Sequence, residues 1–316
     1  MKIVVMDAET VCDKDISLDF LKKFGDVIIY PLTKEDEIDE RIKDADILLC
    51  NKTQIKRENM KNAKKLKFIG LFATGFNNID IVSAKEMGIT VCNVPSYSTN
   101  AVAQQTFAFI LQIVNQVGEY NKTVLEGDWI KSRTFSYFPI PMLELNGKTL
   151  GIVGYGNIGK AVATIGKAFG MNISVYNRHK IFDDTVKQVS FDELLKTSDI
   201  VSLHCPLNDD SRNMMNSDAF SKMKKGAIFI NTARGPLVCE SALKDALESG
   251  HLLGAGVDVL NIEPMTQDCP LYKVKNCLIT PHISWAGVET RKRLMKVVED
   301  NIALFLEGKS QNVVNR

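Results

Sequence analysis

Residues 149–170, TLGIVGYGNIGKAVATIGKAFG, constrain the fold more than any other part of the chain. Thr149–Val153 reads as a buried strand, the residues after Gly156 as a helix, and Ile173–Asn177 as a second strand. Gly154, Gly156 and Gly159 give the spacing GxGxxG. Gly154 permits a tight turn, Gly156 has no side chain to block a pyrophosphate, and Gly159 lets helix and strand pack closely. The helix start then offers N–H groups and a positive dipole end to phosphates. The spacing alone also fits a strand–helix turn with no ligand. The order strand, turn, helix, strand is what favours a dinucleotide.

The rest of the chain reads as α/β. Apolar runs rich in β-branched residues alternate with helical patterns, which implies βαβ units and parallel sheets. Candidate strands are Ile3–Met6, Ile47–Asn51, Phe68–Phe72 and Thr90–Asn93, then Thr149–Val153, Ile173–Asn177, Ile200–His204, Ala227–Asn231, Gly256–Val259 and Leu278–Thr280. They suit two open sheets better than one. The opening KIVVMDAET lacks glycines after its strand, so one dinucleotide per chain is expected.

Asn100 is placed to cap a helix from Ala101 to about Val124, with Val102, Phe109, Ile113 and Val117 near helical spacing. At ~1.5 Å per residue it is long enough to pass from one domain to the other. A last helix, about Val288 to Leu306, carries the chain back. Residues 1–99 and 286–316 are thus expected to form a substrate domain, and 100–285 an inserted dinucleotide-binding domain. A cleft between two such domains commonly holds a small molecule.

Bulk properties exclude several classes. With 39 basic and 38 acidic residues the net charge is +1, which argues for neither a nucleic-acid nor a membrane surface. No apolar run suits a signal peptide or a membrane span. The cysteines, Cys12, Cys50, Cys92, Cys205, Cys239, Cys269 and Cys277, show no CxxC spacing and read as reduced thiols of a cytoplasmic protein. Four histidines without a paired spacing argue against a metal site.

Three further segments fall at strand ends, where open α/β sheets bind ligands: NTARGPLV (231–238), GVDVLNIEP (256–264) and TPHISWAG (280–287). Each carries one reactive side chain. Arg234 can grip a carboxylate with two hydrogen bonds and polarise a neighbouring carbonyl. His282 can give a proton to the oxygen as hydride reaches carbon, and take it back in reverse. Glu263 beside it would orient the ring and favour its charged form. Taken singly, each also reads as structural: a surface ion-pair partner, a loop carboxylate, a satisfied histidine. Together, beside a dinucleotide turn, they suit hydride chemistry on a 2-oxo acid.

These segments resemble the D-isomer-specific 2-hydroxyacid dehydrogenase family. The likeness extends through LFATGFNNIDIVSAKEMGITVCNVPSYSTNAVAQQTFAFIL, ELNGKTLGIVGYGNIGK and DIVSLHCPLNDDSRNMMN, nearly the whole chain. It implies two Rossmann-like domains, flavodoxin-like and NAD-binding, and a homodimer joined through the long helix. By the same likeness Arg234, Glu263 and His282 are catalytic. Asn157 and Ile158 would meet the pyrophosphate, Ala233 and Asp258 the nicotinamide amide. His204, Cys205, Pro206 and Thr232 would line the cofactor site. The backbone of Ala73, Thr74 and Gly75 would hold the substrate carboxylate, with Asn51 lining the cleft.

Within the family, ATGFNNID, PSYSTNAVAQQTFA and TPHISWA look most like glycerate dehydrogenases, or hydroxypyruvate (glyoxylate) reductases. Trp285 could narrow the pocket for a small substrate or simply pack at the domain boundary. Glu263 departs from the glutamine expected of a formate dehydrogenase. A short phosphoglycerate dehydrogenase, or a dinucleotide-sensing co-repressor on the same fold, would carry similar residues.

The second strand ends Asn177-Arg178-His179-Lys180. An NAD enzyme usually has an acid there to bind the ribose hydroxyls. Asn177 can still bond a ribose without repelling a 2′-phosphate, and Arg178 can reach one, which favours NADP over NAD. Arg178 could instead stack on adenine or face solvent.

Overall fold

The computed structural model describes residues 1–12 and 15–316. They divide into two compact units, Met1–Ser98 with Trp285–Arg316, and Thr99–Ser284.

In the first unit β1 (Lys2–Val5), β2 (Asp26–Ile29), β3 (Ile47–Cys50), β4 (Phe68–Leu71) and β5 (Thr90–Cys92) form a parallel sheet ordered β2-β1-β3-β4-β5. Alternation along β1 explains its two-sided burial. Ile3 and Val5 join one apolar layer, with Leu294, Met295, Val298 and Ile302 from the helix Val288–Leu306. Val4 and Met6 join the other, with Ile38, Ile42 and Met60. Continuous runs such as ILLC in β3 are buried throughout, as strands covered on both faces must be.

In the second unit β6 (Thr149–Val153), β7 (Asn172–Tyr176), β8 (Lys187–Gln188), β9 (Ile200–Leu203), β10 (Ala227–Asn231), β11 (Leu252–Val257) and β12 (Cys277–Ile279) form a parallel sheet ordered β12-β11-β10-β9-β6-β7-β8. From β6 the chain winds outward through β7 and β8, then returns to β9 on the other side. That reversal is the switch point at which such sheets bind ligands beyond their carboxyl ends. Side chains alternate here too: Ile228 and Ile230 face one layer, Ala227 and Phe229 the other.

The expected helix over 101–124 is two helices, Thr99–Asn115 and Val117–Leu125. Asn100 lies inside the first turn rather than capping it. The break falls at Gln116, whose backbone is left-handed with φ 54°. Its side-chain amide donates to the Ile113 carbonyl (2.9 Å), supplying one of the partners a helix end lacks. Val117 is consequently exposed rather than part of the apolar stripe. β11 starts four residues before the expected Gly256. Gly254 and Gly256 weaken it as a strand pattern, yet they are what admits Ile113 and Phe109 of the first helix against the sheet. The short edge strands β2 and β8 carry too few buried residues to announce themselves.

Candidate active site

The glycine turn closes at the end of β6. Gly154 has φ +96°, and a Cβ there would lie 2.7 Å from the Cys205 backbone nitrogen, so only glycine fits between the ends of β6 and β9. A Cβ on Gly159 would press within 2.2 Å of the Gly154 carbonyl oxygen, so the helix Asn157–Ala168 lies directly against the turn. A Cβ on Gly156, the residue at the cap of this helix, would meet open space, and as glycine it brings no side chain to the helix start. Asn157 and Ile158 form the first turn.

A cavity of about 270 Å³ lies against this turn, lined by Gly154, Tyr155, Gly156, Asn177, Arg178, His204, Cys205 and Pro206 among others. It therefore gathers half of the residues expected to hold a cofactor. The buried Nδ1 of His204 has no hydrogen-bond partner there, while Nε2 shares a 2.8 Å hydrogen bond with Ser202 Oγ. An open glycine, a helix start beside it and an orphaned ring nitrogen together fit a phosphate-bearing nucleotide. A larger depression, lined by Thr149, Asn172 and Lys187, lies at the strands' amino ends, away from these residues.

Burial pushes His204 down to about 3, so the ring is neutral at neutral pH. The unfolded chain takes up a proton below about 6.5, and the folded chain does not until near 3. The stabilising contribution is thus complete above 6.5 and is lost as pH falls from there toward 3. At pH 5 it should amount to a loss of about 2 kcal/mol. Urea midpoints measured from pH 7 to 4 are expected to fall less steeply in His204→Gln than in the wild type; equal slopes would contradict the assignment.

Asn177 is tied into the turn that follows β7. Its Oδ1 accepts from the Tyr155 N–H (3.3 Å) and its Nδ2 donates to the His179 carbonyl (3.0 Å). A carboxylate could not make the second bond, which gives a local reason for the missing acid. Gln188, a residue the sequence did not single out, clamps the same turn by donating to the carbonyls of Asn177 and His179 and accepting from the Ile181 N–H.

The three strand-end side chains share one edge of the same unit. Asn231, Val257 and Ile279 lie in register across β10, β11 and β12. Arg234 follows the first by three residues, Asp258 the second by one, and His282 the third by three. Asn231 is the unforeseen support for Arg234: its buried amide accepts from the Ala233 N–H (3.0 Å) and donates to the Arg234 carbonyl (2.9 Å). The Arg234 guanidinium is exposed, with Nη1 donating to the Ala233 carbonyl (2.7 Å). Thr232, buried, shares a 3.2 Å hydrogen bond with Thr106 of the first helix.

His282 Nδ1 lies 2.7 Å from Glu263 Oε2, while Glu263 Oε1 accepts from the Leu260 N–H (2.9 Å). The carboxylate accepts, so Nδ1 carries a proton and Nε2 is the ring nitrogen suited to proton exchange. Buried Glu240 steadies this loop by accepting from the Asn261 N–H (2.7 Å). His282 itself has φ 54° and donates its N–H to the Asp258 carbonyl (2.8 Å). The buried Asp258 carboxylate accepts from Thr280 Oγ1 (2.6 Å), Ile283 N–H (2.8 Å) and Ser284 N–H (2.9 Å). These bonds fasten the loop that carries the histidine.

In the first unit, buried Asn51 is held by its N–H on Asp7 (2.8 Å) and its amide on Thr10 (3.0 Å). The loop Ala73–Gly75 is stitched to the end of β5: Ala73's carbonyl accepts from Val94, Thr74's from Asn93, and Thr74 Oγ1 donates to Val94. Trp285 packs half-buried on the layer containing Leu294 and Val298. Among the described residues no group of three His, Cys, Asp or Glu converges as a metal site, and no helix is long and apolar enough to cross a membrane. All seven cysteines are unpaired thiols.

A nucleotide turn at a sheet's switch point and a carboxylate-held histidine at the strand ends define a dinucleotide-dependent α/β oxidoreductase. The model for the D-isomer specific 2-hydroxyacid dehydrogenase NAD binding domain matches residues 107–284. A hydroxypyruvate reductase of Blautia hydrogenotrophica is 42% identical over the full length of both chains. Two solved structures, the TT0316 protein of Thermus thermophilus and an acyclic imino acid reductase in complex with NADPH and D-Arg, align with TM-scores of 0.88 and identities of 36% and 32%. Each alignment covers 99% of this chain and 100% of the other. The chain belongs to the D-isomer-specific 2-hydroxyacid dehydrogenase family. It is an enzyme acting on a CH–OH group with a nicotinamide dinucleotide.

Proposed function

We propose that this enzyme interconverts hydroxypyruvate and D-glycerate, with glyoxylate as a second small substrate. The observation that carries the reading is the His282–Glu263 pair on the strand edge that also bears Arg234, in a chain similar over its full length to a hydroxypyruvate reductase. Residues 100–285 serve as the dinucleotide domain, and 1–99 with 286–316 as the substrate domain.

When bound, the nicotinamide supplies or accepts the hydride. Arg234 pairs with the substrate carboxylate and draws electron density from the adjacent carbonyl. Nε2 of His282 gives its proton to the carbonyl oxygen as charge develops there, and Glu263 holds the ring and stabilises the remaining charge. The backbone of Ala73, Thr74 and Gly75 is assigned to the substrate carboxylate, and Asn51 and Trp285 to the shape of its pocket. Asn157, Ile158 and the glycines take the pyrophosphate; Thr232, Ala233 and Asp258 lie toward the nicotinamide; His204, Cys205 and Pro206 wall the nucleotide.

Arg178 at the end of β7, with no strand-end acid beside it, favours NADPH over NADH. Steady-state rates with hydroxypyruvate, glyoxylate, pyruvate and 3-phosphohydroxypyruvate, each with NADPH and NADH, test the proposal. The highest kcat/KM is expected for hydroxypyruvate with NADPH. A preference for 3-phosphohydroxypyruvate would refute the substrate assignment, and a preference for NADH the cofactor assignment.

A second copy of the chain is the proposed partner. Leu125, which ends the second helix, and Ile130, Phe135 and Phe138 in the segment after it are each at least three-quarters exposed. Four such exposed apolar side chains within fourteen residues are more than a monomer's surface usually carries, and a partner would cover them. Light scattering is expected to give about twice the 35.2 kDa chain mass; a monomer at micromolar concentration would exclude it.

A further inference from the structure

One ion pair beside the nucleotide cavity has a position that its strength does not explain. Arg178 Nη1 lies 3.7 Å from Asp210 Oδ2, and both residues line that cavity. Their side chains are 56% and 84% exposed. Such a pair adds little to folding stability. At this separation it is a charge contact rather than a hydrogen bond, so an incoming anion can displace it readily.

Asp210 reaches the cavity from the loop after β9, not from the end of β7. That loop is fixed: Ser211 Oγ donates to the Pro206 carbonyl (2.9 Å), and the Ser211 N–H donates to Asn208 Oδ1 (3.0 Å). Across the cavity mouth Asn177 is committed to the turn that follows it. The mouth therefore presents one cation and one anion, on separate loops, where the sequence shows only the cation.

We propose that Asp210 is a determinant of nucleotide selectivity, a carboxylate supplied from a neighbouring loop in place of the missing strand-end acid. The inference rests on Arg178 being the contact for a 2′-phosphate. A 2′-phosphate would be attracted by Arg178 and repelled by Asp210, whereas a 2′-hydroxyl can donate to Asp210 with no charge conflict. Asp210 thus limits the preference for the phosphorylated cofactor and preserves use of the other.

The test is calorimetric titration of the full-length wild type, Asp210→Asn and Arg178→Ala with NADP⁺ and NAD⁺. Adenosine 2′,5′-bisphosphate and AMP, which differ only in the 2′-phosphate, serve as fragments. Both side chains are surface-exposed, so the variants should fold; circular dichroism verifies this. Removing one negative charge near a doubly charged phosphate should tighten the 2′-phosphorylated ligands by about tenfold at low salt, less at high salt. The affinity for NAD⁺ and AMP should stay level or weaken. Unchanged ratios in Asp210→Asn, with a loss of 2′-phosphate affinity in Arg178→Ala, would overturn the role of Asp210 alone. Unchanged ratios in both variants would overturn the Arg178 assignment and this inference with it. Wild-type preference for NAD⁺, reversed in Asp210→Asn, would uphold the role of Asp210 and refute the NADPH preference.

Discussion

Replacing His282 with alanine is expected to lower kcat by ~10³-fold, within the range lost when a positioned proton donor is removed. Affinity for the dinucleotide should stay within about twofold, because the glycine turn, the helix start and the cavity walls lie elsewhere on the sheet. Steady-state rates and a fluorescence titration of nucleotide measure the two quantities separately. The loop need not collapse, since Asp258 fastens it through Thr280, Ile283 and Ser284 as well as through the His282 backbone. Equal losses in rate and nucleotide affinity would show that His282 mainly holds the loop.

Arg234→Ala should be at least as damaging, but differently distributed. Substrate KM is expected to rise and kcat to fall, giving ~10⁴-fold in kcat/KM, because the same group binds the carboxylate and polarises the carbonyl. The turn carrying it should survive, since Asn231 holds that turn through backbone atoms of Ala233 and Arg234. Arg234→Lys should recover little, as an ammonium lacks the planar fork that meets a carboxylate twice. Kinetics across a hydroxypyruvate series provide the measurement. An unaltered KM in Arg234→Ala would contradict the assignment.

Much of the sheet framework was legible because buried parallel strands are short, apolar and continuous. Thr149–Val153 and Ala227–Asn231 fall where their residues indicate. What escaped is governed by tertiary contact. The break at Gln116 depends on a side chain turning back onto Ile113, and Gly118 just beyond was the only local hint of it. The early start of β11 was masked by glycines whose purpose is to receive Phe109 and Ile113. The same divide runs through the site. Arg234, Glu263 and His282 stand out because arginine, carboxylate and imidazole at strand ends have recognisable chemistry. Asn231, Gln188 and Glu240 act on backbone groups that only the folded chain brings near them. Asp258 was placed by resemblance beside the cofactor, while its visible bonds run to the loop of His282. Asp210 gave no signal in sequence, since its meaning depends on facing Arg178.

The left-handed backbone of His282 carries a consequence for what can occupy that position. With φ 54° the residue sits where glycine, asparagine, aspartate and histidine are favoured and β-branched side chains are strained. Of these four only histidine both reaches outward and exchanges a proton near neutral pH. The main chain therefore narrows the choice of residue at this position before any substrate arrives. Drift at position 282 toward a β-branched residue would strain the loop as well as remove the proton donor.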